Sequence, residues 1–294
     1  MQIAFIGLGE AGSALISGWG PARGGQIRAY DIKLDTPATA HEIRERAAAL
    51  GIACCDTLAG ALADADLVFS VVTADQAVSA ARAAAPHLAP GAMFCDPNSC
   101  APSSKRESAA LIDAAGGRYL DVAVMAPVYP KLNMVPLLVS GPHAADIAPL
   151  LEALPLAVRQ VEGDVGRASS IKMIRSIMVK GIEALSAECF LAADRAGVTD
   201  EVIASLSASP ADTDWRARGA YNLERMLRHG FRRAAEMEEV SRTLRDLDLP
   251  DDMAAATVLW QRRVAGTGMA PPAEDAPLDA TTGPILQAVA PDET

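Results

Sequence analysis

The chain has 294 residues, enough for two ordinary domains and a sizeable core, and 37 acidic against 26 basic side chains leave a formal net charge of −11. That balance argues against a sequence-independent hold on nucleic-acid phosphates or anionic lipid and for small-molecule chemistry. Five cysteines without C-x-x-C or disulfide-framework spacing, no apolar run of about 18 residues and no charged n-region before the first apolar run predict a reduced, soluble, cytoplasmic protein without bound metal.

Six β-rich runs come first, at 2–7, 26–31, 67–72, 92–96, 118–124 and 136–141, alternating with Ala-rich helical stretches such as 41–50 and 76–88. Such alternation predicts βαβ units, an α/β Rossmann-type doubly wound parallel sheet covered on both faces, over residues 1–163. From Gly166 onward the β signal stops. Helices are predicted over 167–196, 199–208, 211–229, 231–248 and 251–265, separated by Gly197, Pro210, Gly230 and Pro250, which makes 164–294 an all-α helical domain. Its first helix, at 1.5 Å per residue, would reach about 45 Å, long enough to connect the domains and line the cleft between them. The tail from Gly266, rich in Pro, Ala and acid, is expected over the surface or partly disordered.

Within the first strand-to-helix turn, Gly7, Gly9 and Gly12 have G-x-G-x-x-G spacing, with Leu8, Glu10 and Ala11 between them. The first glycine permits a tight turn, the second lets a pyrophosphate approach the backbone, and the third lets helix and strand pack closely. Asp31 ends the second β run, where an acidic side chain accepts from adenosine ribose hydroxyls and repels a 2′-phosphate. The cofactor is therefore read as NAD or NADP, with NAD favoured by Asp31 and Lys33 pulling the other way. The run 169–181, SSIKMIRSIMVKG, gathers Lys172, Arg175, Ser176 and Lys180 into one stripe at about 100° per residue, while apolar side chains cover the rest of the circumference.

With these motifs the chain resembles the β-hydroxyacid dehydrogenase family, which includes 3-hydroxyisobutyrate dehydrogenase and 6-phosphogluconate dehydrogenase, over nearly its whole length. Residues 96–102, DPNSCAP, are similar to that family's D-x-S-T-x-x-P element near the nicotinamide, with Asn98 in place of the first Ser. SVVTADQAV at 70–78 is similar to the loop passing the nicotinamide ribose, which implicates Val72 and Thr73. GRASSIKMIRS at 166–176 is similar to the family's G-x-x-x-x-x-K-x-x-N-N element, and the resemblance implies that Lys172 is the acid/base.

Besides Asn98, the chain departs from the family pattern at three further places. Asp121 of the D-A-P-V-S-G-G signature is kept, but Met125, Ala126 and Pro127 stand where the carboxylate-binding Ser-Gly-Gly would be. The family asparagine four residues after the lysine is Ser176. The later lysine aligns with Ala235, beside Glu236 and near His229, Arg232 and Arg233.

The resemblance implies an NAD(P)-dependent oxidoreductase moving hydride between nicotinamide and a small hydroxy or oxo compound, expected to be a hydroxy acid. Lys172 would be the general acid/base, its pKa lowered from about 10.4 by desolvation and by Arg175 and Lys180, with Ser176 donating to substrate or orienting the lysine. Arg175, able to meet a carboxylate in bidentate fashion, is expected with Lys180, Met125, Ala126 and Pro127 at the substrate. Two alternatives stay open: an imine-reductase-like enzyme, and a nucleotide-sensing protein without catalysis. A homodimer is implied. Plainer readings stand beside these: Lys180 paired with Glu183 or Glu188, Arg232 and Arg233 as a solvated ion-pair surface, His229 as a helix C-terminal cap, and Met125 as core; by residue type alone, Asp214, Trp215 and Tyr221 are candidates for the far side of the pocket.

Overall fold

The structure is a computed structural model that describes residues 1–147, 150, 154–208, 214–273 and 276–289. Strands β1 (Ile3–Ile6), β2 (Ile27–Tyr30), β3 (Ala53–Cys54), β4 (Leu67–Ser70), β5 (Met93–Asp96), β6 (Arg118–Val124), β7 (Leu137–Ser140) and β8 (Val158–Gln160) form one sheet in the order β3-β2-β1-β4-β5-β6-β7-β8. Helices α1 (Glu10–Trp19), α2 (Pro37–Leu50), α3 (Leu58–Leu62), α4 (Ala77–Ala84) and α5 (Pro102–Ala114) carry the crossovers. The reason for two-sided cover is visible in β1: Ile3 and Phe5 join one core cluster, Ala4 and Ile6 another, so alternate side chains are buried on opposite faces.

All pairings in the sheet are parallel except β6 with β7. No α-helix separates those two strands, and without a crossover a chain returns antiparallel. Two strands escape the sequence reading, β3 and β8, because two or three residues are too short to display a period.

Beyond the sheet come α6 (Arg167–Ala196), α7 (Thr199–Ala208), α8 (Trp215–Asp246), α9 (Asp252–Ala265) and α10 (Leu278–Val289). The chain divides into two compact units, Met1–Met173 and Ile174–Thr294, with the division inside α6. The core of the second unit is built on Phe190, Leu191, Leu223, Met226, Val264, Leu278 and Ile285.

Two expectations about this half are corrected. Gly230 does not end a helix: α8 runs through it, because a Cβ there would lie 2.6 Å from the Gln261 carbonyl and 2.7 Å from Ala265 Cβ, so the glycine seats α9 against α8. His229 is therefore in mid-helix rather than at a helix C-terminus. The tail is not merely surface chain, since α10 buries Leu278 and Ile285, seven residues apart on one face, completely. Pro210 and positions 211–213 of the helix predicted to begin there lie outside the described residues.

Candidate active site

The glycine turn between β1 and α1 divides its work among three residues. Gly7 has φ +92°, and a Cβ there would run into the Val71 carbonyl. A Cβ on Gly12 would lie 2.9 Å from Gly7 O and 3.3 Å from Val71 Cγ2, so that glycine sets how closely α1 lies against the sheet. Gly9 differs: nothing lies within 4 Å of where its Cβ would be, and it caps α1 without a side-chain hydrogen bond to the helix. Open space beside uncapped N–H groups is the arrangement a pyrophosphate requires, and a dinucleotide fits these residues.

Leu8 offers only its peptide, because its side chain is fully buried in the core. Its N–H donates to Asp31 Oδ2 at 2.8 Å, and its carbonyl accepts from Arg46 Nη1 at 2.7 Å. Asp31 Oδ1 accepts from Lys33 N at 3.0 Å, so the carboxylate fastens the glycine turn to the end of β2 and keeps lone pairs for ribose hydroxyls. Glu10 is exposed in the first turn of α1, and Ala11 is half-buried beside it.

At the ends of β4 and β5 the predicted nicotinamide loops come together. Asn98 Oδ1 accepts from Val72 N at 2.8 Å, and Asn98 N donates to Asp96 Oδ1 at 2.9 Å. Asn98 is itself buried, so it braces the loop that carries Val72 and the exposed Thr73. Next to it stands Ser99, which sequence reasoning passed over. Lys172 Nζ donates to Ser99 Oγ at 2.5 Å, across 73 residues of sequence. The available signal was positional: Ser99 occupies the Thr place of the D-x-S-T element.

Beneath this pair lies a buried charge network that was also missed. Lys105, inaccessible to solvent, places Nζ 3.0 Å from Asp96 Oδ1, 3.7 Å from Asp121 Oδ1 and in hydrogen-bond contact with the Asp96 carbonyl. Tyr119 donates to Asp96 Oδ2 at 2.6 Å. Burial alone would lower the Lys105 ammonium, but Asp96, with Cys100 and Asp121, outweighs burial and holds it above its ordinary value. Burial, then Asp96, drives the Tyr119 phenol well above its own.

The other oxygen of Asp121 faces α6. Asp121 Oδ2 accepts from Gly166 N at 3.0 Å, Ser169 N at 3.1 Å and Ser140 Oγ at 3.0 Å, while Ser140 Oγ accepts from Ala168 N at 2.9 Å. These bonds satisfy the first free N–H groups of α6 with a negative charge at its positive end. Lys172 follows three residues after Ser169. One buried ammonium thus ties both halves of the arrangement, through Asp96 to Asn98 and through Asp121 to the helix bearing Lys172.

Met125, Ala126 and Pro127 follow β6 with no side-chain donor among them. Met125 packs against the cluster of Ala123, Leu138 and Ala168, and Ala126 against the main core. Farther along α6, Arg175 is exposed and Ser176 is buried. Lys180 is buried and paired with Glu236 at 2.5 Å, so its charge is already matched. Its partner differs from the one expected: Glu183 is held by Arg233 and Gln261, and Glu188 accepts from Trp260 Nε1. Arg233 is accordingly an internal ion-pair member rather than a solvated one, whereas Arg232 is half-exposed, 3.9 Å from Glu236. Asp214 caps α8 through Ala217 N at 3.0 Å, Trp215 packs into the helical core, and Tyr221 is exposed beneath the Arg218 guanidinium.

Comparison with known proteins adds to this geometry. The family described as the NAD binding domain of 6-phosphogluconate dehydrogenase matches residues 2–155, and a domain of unknown function, DUF1932, matches 193–264. A conserved hypothetical protein from Sinorhizobium meliloti 1021 is 36% identical, with a TM-score of 0.73, over 98% of this chain and 95% of its own. A conserved protein of unknown function, described as structurally similar to 3-hydroxyacid dehydrogenases, is 28% identical, with a TM-score of 0.66, over 92% of this chain and 100% of its own. The fold is also that of Mycobacterium tuberculosis 3-hydroxyisobutyrate dehydrogenase, at 17% identity and TM-score 0.71 over 96% and 99% of the two chains.

Proposed function

The chain belongs to the β-hydroxyacid dehydrogenase family, with a divergent C-terminal domain, and from that premise we propose that it interconverts a small hydroxy acid and its oxo acid, using Lys172 as general acid/base. The observation that carries the reading is the Lys172–Ser99 hydrogen bond beside the carboxyl ends of β4 and β5, the edge at which open parallel sheets bind nucleotides. NAD, or NADP with NAD favoured, would supply or accept the hydride. Gly9 and the start of α1 would hold its pyrophosphate, Asp31 its adenosine ribose, and the loop of Val72 and Thr73 its other end.

In the reducing direction Lys172 donates a proton to the carbonyl oxygen; in the oxidising direction its amine takes the hydroxyl proton. Ser99 accepts from Lys172 and so fixes where the ammonium points. Arg175 and Ser176, on the next turn of α6, are assigned to substrate, with Arg175 standing in for the missing Ser-Gly-Gly as carboxylate partner. Lys180 is assigned a structural share in that work through Glu236. The apolar run Met125–Pro127 would shape the substrate's other side. A cytoplasmic homodimer completes the proposal.

The test is NADH consumption by the purified protein with a panel of 2-oxo and 3-oxo acids, and separately with amine-plus-ketone mixtures. Turnover of an oxo acid is the expected result. Turnover confined to the amine mixtures would move the assignment to imine reduction, and tight NADH binding with no turnover of either would move it to nucleotide sensing.

A further inference from the structure

The adenosine end of the proposed cofactor site contains an acid that no motif marks. Glu42, on the second turn of α2, places Oε1 2.5 Å from Arg46 Nη2 and Oε2 3.8 Å from Lys33 Nζ. Both residues adjoin the glycine turn: the Arg46 guanidinium grips the Leu8 carbonyl, and the Lys33 backbone N–H donates to Asp31, which holds the Leu8 N–H. The Leu8 peptide is therefore held between Asp31 on one side and Arg46 on the other, with Glu42 bridging the cations. Another arginine on this helix, Arg44, is committed elsewhere, to Asp56 at 2.9 Å.

A phosphate on the adenosine 2′ position brings a charge of about −1.5 to −2 to the neighbourhood of Asp31, and it binds only where cations are available to meet it. Lys33 and Arg46 are the right types, the guanidinium matching phosphate in bidentate fashion. Both already face the Glu42 carboxylate, so Asp31 and Glu42 balance Lys33 and Arg46. We infer that Glu42 is a specificity-determining residue, which occupies Lys33 and Arg46 and thereby keeps the site selective for the cofactor without a 2′-phosphate. This rests on the nucleotide reading above and deepens it.

Direct binding tests the inference without any turnover: NADH and NADPH affinities, by ligand fluorescence, for wild type, Glu42→Gln, and Glu42→Gln combined with Lys33→Met. Wild type should bind NADH more tightly. Glu42→Gln should shift the NADPH-to-NADH affinity ratio toward NADPH by about tenfold, the size of one partly screened unit charge at this range. Adding Lys33→Met should reverse most of that shift, and high salt should shrink it, since the groups are half-exposed. A ratio in Glu42→Gln within about twofold of wild type overturns the role of Glu42, as does wild-type preference for NADPH. If wild type binds neither nucleotide, the nucleotide reading itself falls, an outcome distinct from an unmoved ratio.

Discussion

Lys105 shows how much can rest on a single buried charge. Its ammonium faces Asp96 and Asp121 with all three groups inaccessible to water. Replacing it by Met leaves two carboxylates buried without a cation, a change that costs about 3–5 kcal/mol. Lys105→Met is therefore expected to lower the unfolding free energy in urea by that amount, and a loss below about 1 kcal/mol would contradict the network described.

The same region fixes a pH dependence. Burial, helped by Asp96, pushes the Cys95 thiol from 9.0 up to about 12. A group whose folded value is raised contributes stability that is full below the unfolded value and lost as pH rises through the folded one. Tyr119 and Lys105 are shifted upward too, so the urea midpoint should fall as pH climbs from 9 toward 12, less steeply at first in Cys95→Ala. A flat midpoint over that range would contradict the assignment. What was legible at this scale was local. Gly7, Gly9, Gly12 and Asp31 sit in a spacing that declares itself, whereas Lys105, Ser140 and Arg46 match no motif and acquire meaning only from the partners the fold brings to them, and Ser99 shows its place in the D-x-S-T element but not its bond to Lys172, 73 residues on.

Among the elements, α6 and α8 explain each other's composition. α6 could not begin where it does without Asp121 and Ser140 receiving its first N–H groups. α8 carries Gly219 and Gly230 eleven residues apart, three turns on one face. At Gly219 a Cβ would strike the Phe190 ring of α6, and at Gly230 it would strike the backbone of α9. Sequence reasoning took Gly230 for a break because glycine lowers helix propensity by about 1 kcal/mol; close helix packing won over propensity.

Gly230→Ala is accordingly expected to destabilise the protein by about 1–3 kcal/mol despite its better propensity, read as a lower thermal midpoint. A raised midpoint would mean that α9 does not pack there. Helices over 167–196 and 199–208 were legible end to end, since Gly166 and Gly197, both at positive φ, punctuate them. α10 was not, because Pro284 and its acidic, Pro-rich approach conceal the Leu278, Ile285 face.

For the molecule as a whole, the α/β sheet followed by helices was legible from the alternation of runs, and the substrate was not, because Met125–Pro127 replace the residues that would have named it. Among the described residues no helix is long and apolar enough to cross a membrane. The second unit nonetheless exposes Ile174, Met178 and Leu185 along one stripe of α6, and Phe231 on α8. Apolar exposure of this kind suits self-association, so light scattering should return twice the 30.6 kDa of one chain. A monomer at micromolar concentration would remove the homodimer from the proposal.

The central claim concerns one amine. The most direct measurement compares wild type with Lys172→Ala in a single turnover, NADH affinity being determined on the same samples. The account predicts that the hydride-transfer rate falls by about 10²–10⁴-fold while NADH binds as before. A variant that transfers hydride at the wild-type rate would contradict it.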